Sequence, residues 1–219
     1  MAKRQQPTVN YSADQVWVAA CTAYRLNNGY LKESETIGDQ VVRHTNRDLV
    51  RQALDNPTLI TDADRELARN CRQHMATAVT MQALKTELGE WARITARVCG
   101  LDTVDSMYDF SVITAMPHSY IKQLKKESVD ARLARCDQAH AGQLGDKVEL
   151  VVEILRNNYS AKYNTWFVSG ITDNNLAVFF AYREELKSDQ TLKIRGTVKR
   201  LVDRATQLNR VKIHKQEAV

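Results

Sequence analysis

The feature that most constrains this chain is a change of hydrophobic period at Gly145. Before it, apolar residues recur every three to four positions, as on one face of a helix. After it they alternate. Lys147-Val-Glu-Leu-Val-Val-Glu-Ile-Leu155 places Val148, Leu150, Val152 and Ile154 on one side of a strand. A pattern of period 3.6 and one of period 2 cannot serve the same element, so the chain must hold a helical part and a strand part. With 219 residues there is room for two small domains.

The front part carries helix punctuation. Ser12-Ala-Asp-Gln15 reads as a capping box ahead of Val16, Ala19, Ala20, Ala23 and Leu26, with Gly29 past the end. Thr45-Asn-Arg-Asp48 reads as a second box before Leu49, Val50, Ala53 and Leu54, and Asn56-Pro57 stops that helix. Thr61-Asp-Ala-Asp64 opens a third helix bearing Leu67, Ala68, Cys71, Met75, Ala78 and Val79. Another spans about Glu90–Cys99 before Gly100, and short pieces are expected at Asp109–Ala115 and His118–Lys126. Residues 1–126 are therefore expected to be a small helical domain. Residues 127–144, polar and containing Gly142, read as a linker.

The back part holds further strands at Thr165–Thr172 and Leu176–Tyr182, joined by the turn residues Asp173-Asn174-Asn175. Arg183–Gln190 is polar and reads as a short helix or loop. Strands at Thr191–Leu201 and Leu208–His214 follow. Three strands, a connection and two more strands within residues 145–215 resemble an OB-fold, a five-stranded Greek-key barrel. Leu192-Lys-Ile-Arg-Gly196-Thr-Val-Lys199 looks like its fourth strand, with a glycine at a bend. The expected fold class is α+β, an N-terminal helical domain before a C-terminal OB-fold barrel, with 216–219 as a tail. The whole chain is similar to bacteriophage proteins with a helical front half and a barrel at the back. That resemblance implies a single-stranded DNA-binding protein of replication or recombination.

Charge and rings give the barrel its functional reading. Residues 145–219 contain 13 Lys+Arg against 9 Asp+Glu, while the first 144 hold 18 against 17. Within Thr191–Lys215 eight basic residues stand against Asp203 alone. Defending an edge strand needs fewer lysines than this, so phosphate neutralisation is the better account. Seven of the 15 aromatic residues lie between Tyr159 and Tyr182. On an OB-fold that stretch is the oligonucleotide-binding face and loop. Rings there stack on bases, each worth ~1–3 kcal/mol.

Neighbouring strand residues point oppositely, so Trp166 and Phe167 cannot both face inward, and neither can Phe179 and Phe180. The more apolar set Leu176, Val178 and Phe180 is expected inside, with Ala177, Phe179 and Ala181 outside. On the preceding strand Phe167 and Ile171 are expected inside and Trp166 outside. The expected stacking residues are then Tyr159, Tyr163, Trp166 and Phe179. The expected phosphate contacts are Arg156, Lys162, Lys199, Arg200, Arg204 and Arg210. Single-stranded DNA is the expected partner, with RNA as its alternative, and replication or recombination proteins and further copies of the chain are expected as additional partners.

Other chemistry has little to stand on. Cys21, Cys71, Cys99 and Cys136 match no zinc or redox spacing and read as thiols in a reducing cytoplasm. His44, His74, His118, His140 and His214 are scattered. No phosphate-loop, dinucleotide, zincin or serine-hydrolase motif occurs, and Asp62 and Asp64 read as capping residues. The chain is expected to act without enzymatic activity or cofactor, and no apolar run is long enough to suggest a membrane span or signal peptide. A protein-interaction adaptor is the rival reading, and a metal-dependent nuclease the third. Lys122, Lys125 and Lys126 leave open a nucleic-acid contact from the helical part.

Overall fold

The computed structural model describes residues 10–214, so Lys215 and the expected tail lie outside the described residues. Two compact units divide the chain, Met1–Leu124 and Lys125–Val219.

The first unit contains α1 (Ala13–Leu26), α2 (Asn46–Asp55), a 3-10 turn (Pro57–Leu59), α3 (Asp62–Ala83), α4 (Glu90–Cys99) and the start of α5 (Met107–Ala134). Its core gathers on α1, where Val16, Trp17, Ala19, Ala20, Cys21 and Ala23 are buried. Small residues on this helix let α2 and α3 approach closely. Two ion pairs fix α3 along it, Arg25 with Asp64 and Arg72 with Asp14. The end of α1 meets the start of α3 and the start of α1 meets its middle, so the helices run antiparallel. The buried Asn27 amide donates to Asn46 Oδ1 at 2.8 Å, tying the end of α1 to the start of α2.

The helix starts behave differently from one another. At α3 the box is complete: the Asp64 N–H donates to Thr61 Oγ1 and the Thr61 N–H to Asp64 Oδ2. Thr45 caps α2 by accepting from the Asp48 N–H. The box expected at Ser12 does not form. Ser12 is instead drawn into a two-residue strand pair, β1 (Tyr11–Ser12) with β4 (Thr103–Val104), and the Ala13 N–H donates to Asp102 O at 2.9 Å.

Three further expectations need correction. Between α1 and α2 stands a hairpin, β2 (Glu35–Ile37) and β3 (Gln40–Arg43), turning at Gly38 with φ +59°. The pieces expected at 109–115 and 118–126 are one helix, α5, with Pro117 inside it. An internal proline costs ~3 kcal/mol, and here the buried Phe110, Ile113, Met116 and Tyr120 offset that cost. The same helix continues through Glu127–Ala134, so the expected linker is helical over its first half.

The second unit is a closed barrel of β5 (Lys147–Ser160), β6 (Thr165–Thr172), β7 (Ala177–Tyr182), β8 (Thr191–Val202) and β9 (Ala205–Ile213). The strands follow one another around it as β5-β6-β7-β9-β8, with β8 closing on β5. β7 and β9 are parallel, and every other pair is antiparallel. This five-stranded barrel fits an OB-fold. Val152, Ile154, Val168, Val178, Phe180, Ile194, Val198 and Leu208 fill it. The β7–β8 connection forms no helix among the described residues. It inserts Leu186 into the core, held by Asn157 Nδ2 donating to Leu186 O.

Candidate nucleic-acid interface

Register decides what the barrel shows to solvent. The inward set on β7 is Val178 and Phe180, as expected, which leaves Phe179 outside. Ala177 shares the face of Phe179 by alternation but is buried. On β6 the expectation is reversed. Val168 lies opposite Phe180 and Gly170 opposite Val178, so the inward set is Trp166, Val168 and Gly170. Trp166 packs against the barrel core, and Phe167 faces out.

Gly170 explains the choice. A Cβ there would lie 2.5 Å from both Glu153 O and Val152 Cγ1. β6 therefore approaches β5 closely at this point, beside the register shift between Ile154 and Arg156. Only the set containing the glycine can face that contact.

The outward rings form one cluster. Phe167 stacks on Phe179, and Tyr163 meets Phe167 edge-on at 6.0 Å between centroids. Tyr163 is 62% exposed, and Lys162 Nζ stands 5.3 Å from its ring centre. Tyr159 belongs elsewhere. It pairs across the hairpin with Trp166, centroids 5.2 Å apart, and its hydroxyl donates to Asn164 Oδ1. The two tyrosines thus serve opposite faces of the β5–β6 hairpin, and the expected quartet divides into two groups.

The basic residues reach this face through the β7–β9 pairing. Phe179 lies opposite Ser169 on one side and Gln207 on the other, and Gln207 lies opposite Arg200. Ser169 in turn lies opposite Arg156. One register row therefore runs Arg156, Ser169, Phe179, Gln207, Arg200. At ~4.8 Å per strand, each arginine stands about 10 Å from the ring along the row.

The two ends of that row differ. Arg156 is bound to Asp130 in α5, so its charge is already answered. Arg200 is exposed and has no ion pair among the described residues, and the same holds for Lys199 and Arg210. Lys199 sits at the irregularity between Val198 and Arg200, and Arg210 adopts φ +51°. Arg204, in the β8–β9 turn, donates to Ala134 O at 3.4 Å at the end of α5. Arg132 of α5 grips Glu153 through two bonds, and this guanidinium holds the Glu153 carboxyl below its ordinary range.

Phe167 is the ring that sequence reasoning missed, and Gly170 was the available signal. No protein-family model, curated protein or solved structure matches this chain.

Proposed function

We propose that the barrel binds single-stranded nucleic acid, DNA in the first instance, with little sequence preference. The observation that carries this reading is the outward cluster Tyr163, Phe167 and Phe179, with Arg200, which has no ion pair among the described residues, in the register row of Phe179. Rings of this kind accept any base, because every base has a π-face, and the cations follow the phosphates. Of the expected phosphate contacts, Lys162, Lys199, Arg200, Arg204 and Arg210 have no ion pair among the described residues. Tyr159 offers a further ring on the other face of the hairpin, backed by Trp166 from the barrel core.

The role is one of binding rather than cleavage, and the resemblance to phage replication or recombination proteins supplies its setting. Anisotropy with a fluorescein-labelled 20-mer of dT, at 50 and 200 mM salt, tests it. Five phosphate contacts on a single strand give a slope near −0.7 per contact, so affinity should fall roughly 130-fold between the two conditions. Absence of binding at micromolar protein overturns the reading, and so does magnesium-dependent shortening of the oligonucleotide. Replacing Lys199, Arg200 and Arg204 with Glu should remove the binding. If these residues serve a protein interface instead, binding of the 20-mer should be unchanged.

A further inference from the structure

We infer that the helical unit carries a second binding site, a groove along α1 that takes an acidic peptide with apolar side chains. The groove comprises two adjoining hollows of about 840 and 240 Å³ that share Asp14, Val18 and Arg65. α1 is buried along most of its length, and its exposed strip near Asp14 and Val18 forms the floor. Ala68 and Ala76 of α3 line one side. Leu54 of α2 and Ile60, just after the Pro57–Leu59 turn, line the other.

The rim chooses the sign of the occupant. Arg65, Arg69 and Arg72 lie at i, i+4 and i+7 on one face of α3, spanning about 10 Å. Arg72 is fully engaged: it pairs with Asp14, and it donates to Cys99 O at 2.8 Å and Leu101 O at 2.6 Å. Asp62 lies 3.8 Å from Arg65. Both acids of the rim therefore have partners. Arg69, between the two pairs, is exposed with no ion pair among the described residues. Trp17 also lines the groove, is 1% exposed, and its indole N–H meets no acceptor among the described residues.

A spare guanidinium above an apolar floor selects carboxylates joined to apolar side chains. A phosphate chain would leave the floor unused, and a basic peptide would be repelled. The chain's own first nine residues contain Lys3 and Arg4 and no acid, so their charge is wrong for this site.

The test uses the full chain and a fluorescein-labelled 14-residue peptide with Asp and Glu on one helical face and Leu and Phe on the other. Binding in the micromolar range is expected. Arg69→Glu, at an exposed position without ion pairs among the described residues, should weaken it at least tenfold, and Arg69→Lys should retain most of it. Unchanged thermal unfolding of Arg69→Glu establishes that the loss is local. Four results would overturn the inference: no binding of the peptide at micromolar protein, equal binding of a peptide with Lys in place of the acids, no effect of Arg69→Glu, or displacement of the peptide by the dT 20-mer. Oligonucleotide binding by the barrel is read separately, so failure of one site leaves the other standing.

Discussion

Phe167 stacks on Phe179 across β6 and β7, with centroids 5.8 Å apart and planes 14° from parallel. The two are diagonal neighbours: Phe167 lies opposite Ala181, and Phe179 opposite Ser169. Small residues at the other two corners leave the ring pair half-buried rather than enclosed. An aromatic pair built for the core would be enclosed, as Phe180 is, at 0% exposure.

Phe167 and Trp166 should therefore respond in opposite ways. Phe167→Ala removes an outward ring, so it should weaken dT binding by about 5- to 100-fold, given ~1–3 kcal/mol per stacked base, while thermal unfolding moves little. Trp166→Ala removes a ring packed on the barrel core. It should lower the melting temperature by several degrees, in keeping with a cost of about 2–4 kcal/mol for truncating a partly buried aromatic. Anisotropy and calorimetry on the two variants separate the roles.

Arg200→Gln should lower affinity for dT and reduce the salt slope by about 0.7, the share of one phosphate contact on a single strand. Arg156→Gln should change the slope less, because Asp130 already holds that guanidinium. Titrations at four salt concentrations give both slopes.

The sequence made the barrel legible and its β6 face illegible, for one reason. Alternation over Lys147–Leu155 and the turn at Asp173–Asn175 depend on neighbours in the chain, so strand order could be read directly. The facing of β6 depends on how closely β5 approaches Gly170, a contact between strands. Counting apolar residues favoured Phe167 and Ile171, because a glycine adds nothing to such a count. Proximity of Arg200 to Phe179 was equally hidden, since it arises from the parallel β7–β9 pairing. In the helical unit, Thr61 kept its box because its environment is local, whereas Ser12 lost its own to a strand partner 91 positions away, Thr103.

Gly170→Ala should disturb the barrel although it adds a single methyl group. The new carbon would meet the Glu153 carbonyl at 2.5 Å, and backbone cannot swing aside as a side chain does. Overpacking of this kind costs about 1–3 kcal/mol. Chemical denaturation of the variant should show that loss, with dT binding reduced in parallel through the displaced β6.

Acid should loosen the helical unit. Burial pushes the Asp64 carboxyl up, but its bonds from Arg25 and Thr61 prevail and hold it below the usual carboxylate range. Asp109 behaves likewise, with Arg97 and Ser106 opposing burial. A lowered folded-state value stabilises the fold above the ordinary pKa of about 3.9, and that contribution vanishes as pH falls through the lowered value. Arg25→Ala should then cost about 1–2 kcal/mol at pH 7 and progressively less as acid protonates Asp64, measured by urea unfolding across the acid range. The side chain of Arg25 is 42% exposed, which keeps the figure modest.

Thiol chemistry should report folding rather than function. Burial pushes Cys21 up to about 12 and Cys99 to about 11, and raises Cys71 and Cys136 as well. All four are buried and unpaired. A chromogenic disulfide reagent at pH 8 should titrate none of them rapidly in the folded protein and all four in guanidinium.

Photocrosslinking tests the central claim most directly. A dT 20-mer with 5-iodouracil at successive positions is bound to the full chain, irradiated, and the attached peptides are sequenced. Adducts on Tyr163, Phe167 or Phe179 are expected. Adducts confined to residues 10–124, or none at protein concentrations that saturate the oligonucleotide, would contradict that claim.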